Sequence, residues 1–177
     1  MKRYRKDDDL SVPADNTDAY FQAQVRRPGL FFCLDKAEQW KEAENFVRDV
    51  VAELPRLKVL VYLSRGKWET RPESPYLLAT DKRDFHLFLG KEKQALKQWI
   101  SGQDFDLLLV FAHQPGKRCK KLALSLPAKL TAGWPPSETE EPWFDITLEK
   151  PKGEPRYSRF YKTLKKYFKQ LNINLTS

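Results

Sequence analysis

Between Arg156 and Leu171 the chain carries a set of cations whose spacing is its most specific chemical signal. On a helix of about 100° per residue, Tyr157, Phe160, Tyr161, Leu164, Tyr167, Phe168 and Leu171 share one arc. Arg159, Lys162, Lys165, Lys166 and Lys169 fall opposite, Arg156 lies at the margin, and no acid interrupts them. Like charges three or four positions apart repel slightly, so a counter-anion would relieve such a face. A second acid-free segment, Pro115 to Trp134, contributes Lys117, Arg118, Lys120, Lys121 and Lys129. Phosphate contacts of this kind position a protein on RNA without reading its sequence. A solvated face remains the plain alternative. Anionic lipid is a third, since a basic amphipathic helix with aromatics can lie on a membrane surface.

Other groups could do different chemistry. Asp35, Asp81, Asp84 and Asp145 fall near probable strand ends, and His113 follows the central apolar run. A His beside a carboxylate can move protons, but capping aspartates and a surface histidine fit these contexts better. His86, inside DFHLFLG, reads as packed or edge-exposed. The segment AHQPGKRCKK leads into a helix start, where free N–H groups, Lys117 and Arg118 would favour a phosphate. No G-x-G-x-x-G, P-loop or G-x-S-x-G pattern occurs. The residues therefore nominate no catalytic group, no cofactor and no metal. Cys33 and Cys119 sit in apolar contexts and read as buried reduced thiols, and zinc would need more ligands than these.

These residues need a scaffold. The chain has 177 residues, 41% of them hydrophobic, and a formal net charge of +8. That is enough for one domain with a substantial core, and its charge attracts anionic partners. No apolar run approaches the ~20 residues of a membrane span. MKRYRKDDDL lacks the apolar stretch of a signal peptide, so the expected location is cytoplasmic.

Residues 1–27 read as an arm, with Thr17 or Asp18 capping a short helix through Tyr20, Phe21 and Val25; residues 28–177 form a single domain. Within it GLFFCLD is the first strand, Ala37–Leu54 an amphipathic helix, and RLKVLVYLS the second strand. Residues 65–83 form a long polar connection with a short extended piece at Tyr76–Ala79. DFHLFLG supplies a third strand, Asp84–Leu89, followed by a helix over Lys91–Ser101. FDLLLVFA is apolar on both faces and belongs at the centre of a parallel sheet; its Asp106 reads as a strand-start residue that valine could replace. A helix begins near Pro115. Ala128–Trp134 and Trp143–Glu149 are further strands, and Arg156–Leu171 closes the fold. The order predicts a three-layer, Rossmann-like α/β sandwich around a mostly parallel sheet of five or six strands, with a basic amphipathic C-terminal helix.

GLFFCLD, FDLLLVFA, the Ser-x-x-Ala-Lys-x-x-x-Gly segment within SLPAKLTAG, WFDITLE and the Tyr- and Lys-rich last helix together resemble an uncharacterised family of small α/β proteins from Bacteroidota. Where that family's central strand carries a second Asp, this chain has Val110. The central segment also resembles the N-terminal half of heptosyltransferase-type glycosyltransferases, which implies the fold; those enzymes hold their sugar nucleotide largely on a second domain.

The functional expectation is a non-enzymatic binding module that contacts RNA or a ribonucleoprotein such as the ribosome. Its contacts would be Lys117, Arg118, Lys120, Lys121, Arg156, Arg159, Lys162, Lys165, Lys166 and Lys169. A small nucleotide- or sugar-binding, enzyme-like domain is one alternative. A protein adaptor docking through the arm or the acidic loop Glu138–Glu141 is the other.

Overall fold

The computed structural model describes residues 24–86, 91–112, 116–134, 143–152 and 156–175. Strand β1 (Gln24–Val25) leads into β2 (Pro28–Leu34), and a 3-10 turn opens helix α1 (Trp40–Glu53). Strands β3 (Lys58–Leu63) and β4 (Leu77–Thr80) follow, then a 3-10 turn at Lys82–Asp84 and helix α2 (Gln94–Ser101). Strand β5 (Leu107–Ala112), helix α3 (Lys117–Ser125), β6 (Thr131–Gly133), β7 (Ile146–Thr147), helix α4 (Arg156–Gln170) and β8 (Asn174–Leu175) complete the order.

Six strands pair in the order β4-β3-β2-β5-β6-β7, every pair parallel. The chain therefore builds outward from β2 to β4, returns to the other side of β2 with β5, and builds outward again. This is the Rossmann-like α/β architecture that the segment order predicts.

All seven residues of β2 and all six of β5 are buried. Alternation explains how, because successive side chains point to opposite faces. Leu30, Phe32, Leu34, Leu107, Leu109 and Phe111 face one core with α1 and α4. Phe31, Cys33, Leu108, Val110 and Ala112 face a second core with α2 and α3. Helix α1 buries Trp40, Ala43, Phe46, Val47 and Val50, the stripe its spacing calls for. Val110, 1% exposed, is core, so no carboxylate stands there.

Three details differ from the sequence reading. Leu77–Thr80 is the edge strand, whereas Asp84 lies in a 3-10 turn and Phe85 makes only an isolated antiparallel bridge to Glu92; the rest of the expected Asp84–Leu89 strand, 87–89, lies outside the described residues. Val25 is extended, not helical, and pairs β1 with β8, a strand the pattern does not announce. The remainder of the expected arm, 1–23, is outside the described residues.

Asp106 is the third difference. Its carboxylate accepts the backbone N–H groups of Arg26 and Arg27, each at 3.0 Å. It also accepts the Arg27 guanidinium at 3.3 Å and the Lys129 Nζ at 2.9 Å. Burial alone would raise this carboxyl, but those donors outweigh it and hold the group at about 2. The Ser-x-x-Ala-Lys-x-x-x-Gly segment is thereby explained as architecture. Ser125 Oγ donates to the Leu122 carbonyl near the end of α3, and Ala128 bridges to Phe105. Lys129 holds Asp106, and at Gly133 a Cβ would lie 2.7 Å from the Val110 carbonyl and 2.9 Å from the Phe144 ring.

Asp106→Val is therefore expected to cost about 2 kcal/mol at neutral pH, read as a lowered denaturation midpoint; an unchanged midpoint would return Asp106 to a mere strand start. Leu108→Asp places an unpaired charge at a fully buried position and should leave no cooperative unfolding transition.

Candidate functional site

Helix α4 sits where its two faces require. Tyr157, Phe160, Tyr161, Leu164 and Phe168 are buried. Phe160 packs edge-on to Phe111 and Trp134, and Tyr157 stacks on Trp134 and Phe46. The cations must then face outward. Lys162, Lys166 and Lys169 are exposed, and among the described residues they have no ion-pair partner. Arg159 shares this side, donating to the Lys152 carbonyl at 2.8 Å.

The other nominated cations are committed inside the fold. Arg156 donates to Glu42 through its backbone N–H (3.0 Å) and its guanidinium (3.4 Å), which caps α4. Lys165 pairs with Glu53 at 3.0 Å and lies over the Tyr161 ring. On α3 the Arg118 guanidinium covers Phe85 at 4.8 Å, and Lys120 covers Trp143 at 5.4 Å. Lys121 pairs with Glu92 at 3.5 Å. Lys117 is exposed at the helix start. Helices α3 and α4 pack on opposite faces of the sheet, so the two basic segments form two surfaces in different layers.

The strand-end groups are mostly structural. Asp145 precedes β7 and accepts both the N–H and the hydroxyl of Thr131 at 2.8 Å, clamping β6 to β7 at their amino ends. Asp35, at the carboxyl end of β2, accepts the Ser64 hydroxyl at 3.1 Å. It lies beside the point where the strand order reverses between β2 and β5, the usual ligand position in open α/β sheets. Lys150 is within electrostatic reach of it: burial and the charge of Arg156 lower the Lys150 ammonium, and Asp35 opposes them. His86 is exposed. His113 and Glu138–Glu141 lie outside the described residues, as does the 113–115 part of the segment before α3.

Asp81, after β4, is fully buried. It accepts the Trp68 N–H (3.2 Å), the Arg83 N–H (2.8 Å) and the Arg83 guanidinium (2.7 Å), with Arg71 at 3.5 Å. Burial pushes its carboxyl up, but these donors prevail and hold it at about 2. Asp84 pairs with Arg71 at 2.8 Å and accepts the Asp81 N–H at 2.9 Å. Together they fix the polar 65–72 segment against the end of the sheet. The result is a cleft between that segment and the start of α1, walled by Trp40 and Trp68, with a volume of about 660 Å³. In the sequence this segment reads as connection, although an apolar Trp68 between Lys67 and Glu69 is a signal that the loop is anchored.

Cys33 and Cys119 are both buried free thiols. Their mutual hydrogen bond, together with burial, pushes the Cys119 thiol up, away from the reactive thiolate. Among the described residues no group of three or more His, Cys, Asp or Glu is placed to hold a metal ion, and no helix is long and apolar enough to cross a membrane.

These features define an open, parallel-sheet α/β domain with structural carboxylates at its strand ends and two basic helices on opposite faces. The chain belongs to the family of unknown function DUF6913, whose pattern matches residues 4–171. No curated protein matches it. Among solved structures it is similar to the glycosyl transferase family 9 protein from Veillonella parvula DSM 2008, with a TM-score of 0.51 and 14% identity. The match covers 85% of this chain and 42% of that one, so this chain spans less than half of that protein. At such identity the likeness is one of fold.

Asp81 and Asp106 are both depressed below the 3.8 of a free carboxyl. The stability they contribute is present above pH of about 4 and is lost as pH falls toward about 2. Thermal melts across that window should show a steep loss for the wild type and a flatter one for Asp106→Asn. Equal slopes would mean that the Asp106 carboxylate is not held as described.

Proposed function

We propose that the protein is a non-enzymatic binding module that takes RNA, free or within a ribonucleoprotein, along the outer face of α4. The observation that supports it is the stripe Lys162, Lys166 and Lys169, exposed and unpaired among the described residues, with Arg159 at its head. Four like charges within about 15 Å of helix axis repel one another at each i,i+3 and i,i+4 pair. Spaced phosphates relieve that repulsion and release counterions in doing so.

One observation favours RNA over a membrane surface, and another narrows the contact set. A membrane-bound basic helix needs a free apolar face, and the apolar arc of α4 is spent on docking against Phe111 and Trp134. The α3 segment contributes less than its sequence promises, because Arg118, Lys120 and Lys121 are held by Phe85, Trp143 and Glu92. The contact set proposed here is therefore Arg159, Lys162, Lys166 and Lys169, with Lys117 and the α3 cations on a separate surface. The glycosyl transferase likeness carries no activity to this chain.

Binding of a labelled uridine oligomer should be weak in sequence preference and steep in salt. Replacing Lys162, Lys166 and Lys169 with Gln should flatten the slope of log K against log salt by about 2, at roughly 0.7 per phosphate on a single strand. The melting temperature should hold or rise. The control Lys117→Gln/Lys120→Gln, on the opposite layer, should leave the slope unchanged. Leu164→Ala should cost about 2–5 kcal/mol and weaken binding through unfolding alone. An unchanged slope in the triple variant sinks the reading and leaves a solvated face.

A further inference from the structure

The cleft between the 65–72 segment and the start of α1 lies at the carboxyl ends of β2 and β3, where open parallel sheets receive ligands. Its volume of about 660 Å³ suits a small molecule. Its walls differ in chemistry. The 65–72 segment brings Arg65, Lys67, Glu69 and Arg71, a net positive wall. The opposite wall, from the turn before α1 and α1 itself, brings Lys36, Glu38 and Glu44, a net negative one. Lys67, Glu38 and Glu44 are exposed, and among the described residues none has an ion-pair partner. Opposite charges thus line one cleft without closing it.

The positive wall is held in place at some energetic cost. A buried carboxylate is costly unless its donors are in position, and Asp81 is satisfied by Trp68, Arg83 and Arg71, which ties the segment to β4. Arg71 is spent in this network, being paired to Asp84 as well. Gly66 turns the segment at φ 84°, a conformation that costs glycine little. Trp68 closes the cleft's inner side, its indole N–H donating to the Thr80 carbonyl at 2.9 Å. Trp40 forms another wall; it is nine-tenths buried, and its indole N–H has no acceptor.

We infer that this cleft binds a small zwitterion of the amino-acid class, its carboxylate toward Lys67 and its ammonium toward Glu38 and Glu44. The two indoles suit an apolar or aromatic side chain between them, and they also supply the readout. This site is independent of the α4 surface.

The test is thermal-shift and tryptophan-fluorescence titration of the full chain with the twenty free L-amino acids. Inorganic phosphate and spermidine serve as controls that each carry one sign of charge only. At least one amino acid with an apolar or aromatic side chain should raise the melting temperature and change the emission, while neither control does. Lys67→Glu and Glu44→Lys change exposed residues and should fold as the wild type does. Each should weaken that ligand by about tenfold or more, the loss of one charge-assisted contact. The double charge swap should recover part of the affinity if the ligand can reverse. No response to any amino acid overturns the proposal. So does a response equalled by phosphate or spermidine, or an affinity unchanged in both single variants.

Discussion

Phe111, near the carboxyl end of β5, is surrounded by five rings: Trp134 at 4.9 Å, Phe32 and Tyr157 at 5.2 Å, Phe160 at 5.3 Å and Phe46 at 5.7 Å. They come from a neighbouring strand, the residue after β6, and the helices α1 and α4. Everything on this side of the sheet is placed by that cluster. Aromatic packing of this density constrains direction as well as distance, so α4 cannot roll about its axis without separating rings. The orientation of its lysines is thus a consequence of aromatic packing on the helix's other face. Removing charge from the outer face changes what α4 binds; removing a ring changes whether α4 is there.

Much of this was legible in the chain because burial on both faces leaves a continuous apolar signature. PGLFFCL, KVLVYL and LLLVFA each declare themselves, and the arc from Tyr157 to Phe168 declares a docked helix. The edges were less legible. LLAT and DFHLFLG are both apolar enough to extend, and which one joins β3 depends on the Asp81 network holding the segment after LLAT in a turn, a contact over residues that are polar in the sequence. β8 is two residues long and makes sense only beside β1. Pattern reasoning weighs local periodicity and cannot see such pairing.

The candidate surfaces show the same division. Counting cations marks α3 and α4 as basic, but a charge count does not say which layer a helix occupies. Nor does it reveal that Arg118 bends over Phe85 while Lys162 stays in solvent. The aspartates were found as strand-end residues, yet their roles follow from position: Asp106 and Asp145 clamp amino ends, Asp81 anchors a loop at a carboxyl end, and Asp35 stands at the reversal of strand order. The cleft near Trp40 is not legible in the chain because its walls are separated by some thirty positions and share no pattern.

The pairing of β1 with β8 has a mechanical consequence. Gln24 lies opposite Asn174 and Val25 opposite Leu175, in parallel. A pull on the chain before residue 24 and after residue 175 therefore loads that patch along its strands, in shear, with its hydrogen bonds resisting together. The six-stranded sheet sits behind it and feels no load until the patch fails. The load then passes to β2, which begins at Pro28, at one end and to α4 from its Gln170 end at the other. Tension would thus reach β2 and the basic helix only after the patch had failed, which makes the patch a mechanical fuse for the surface beside it.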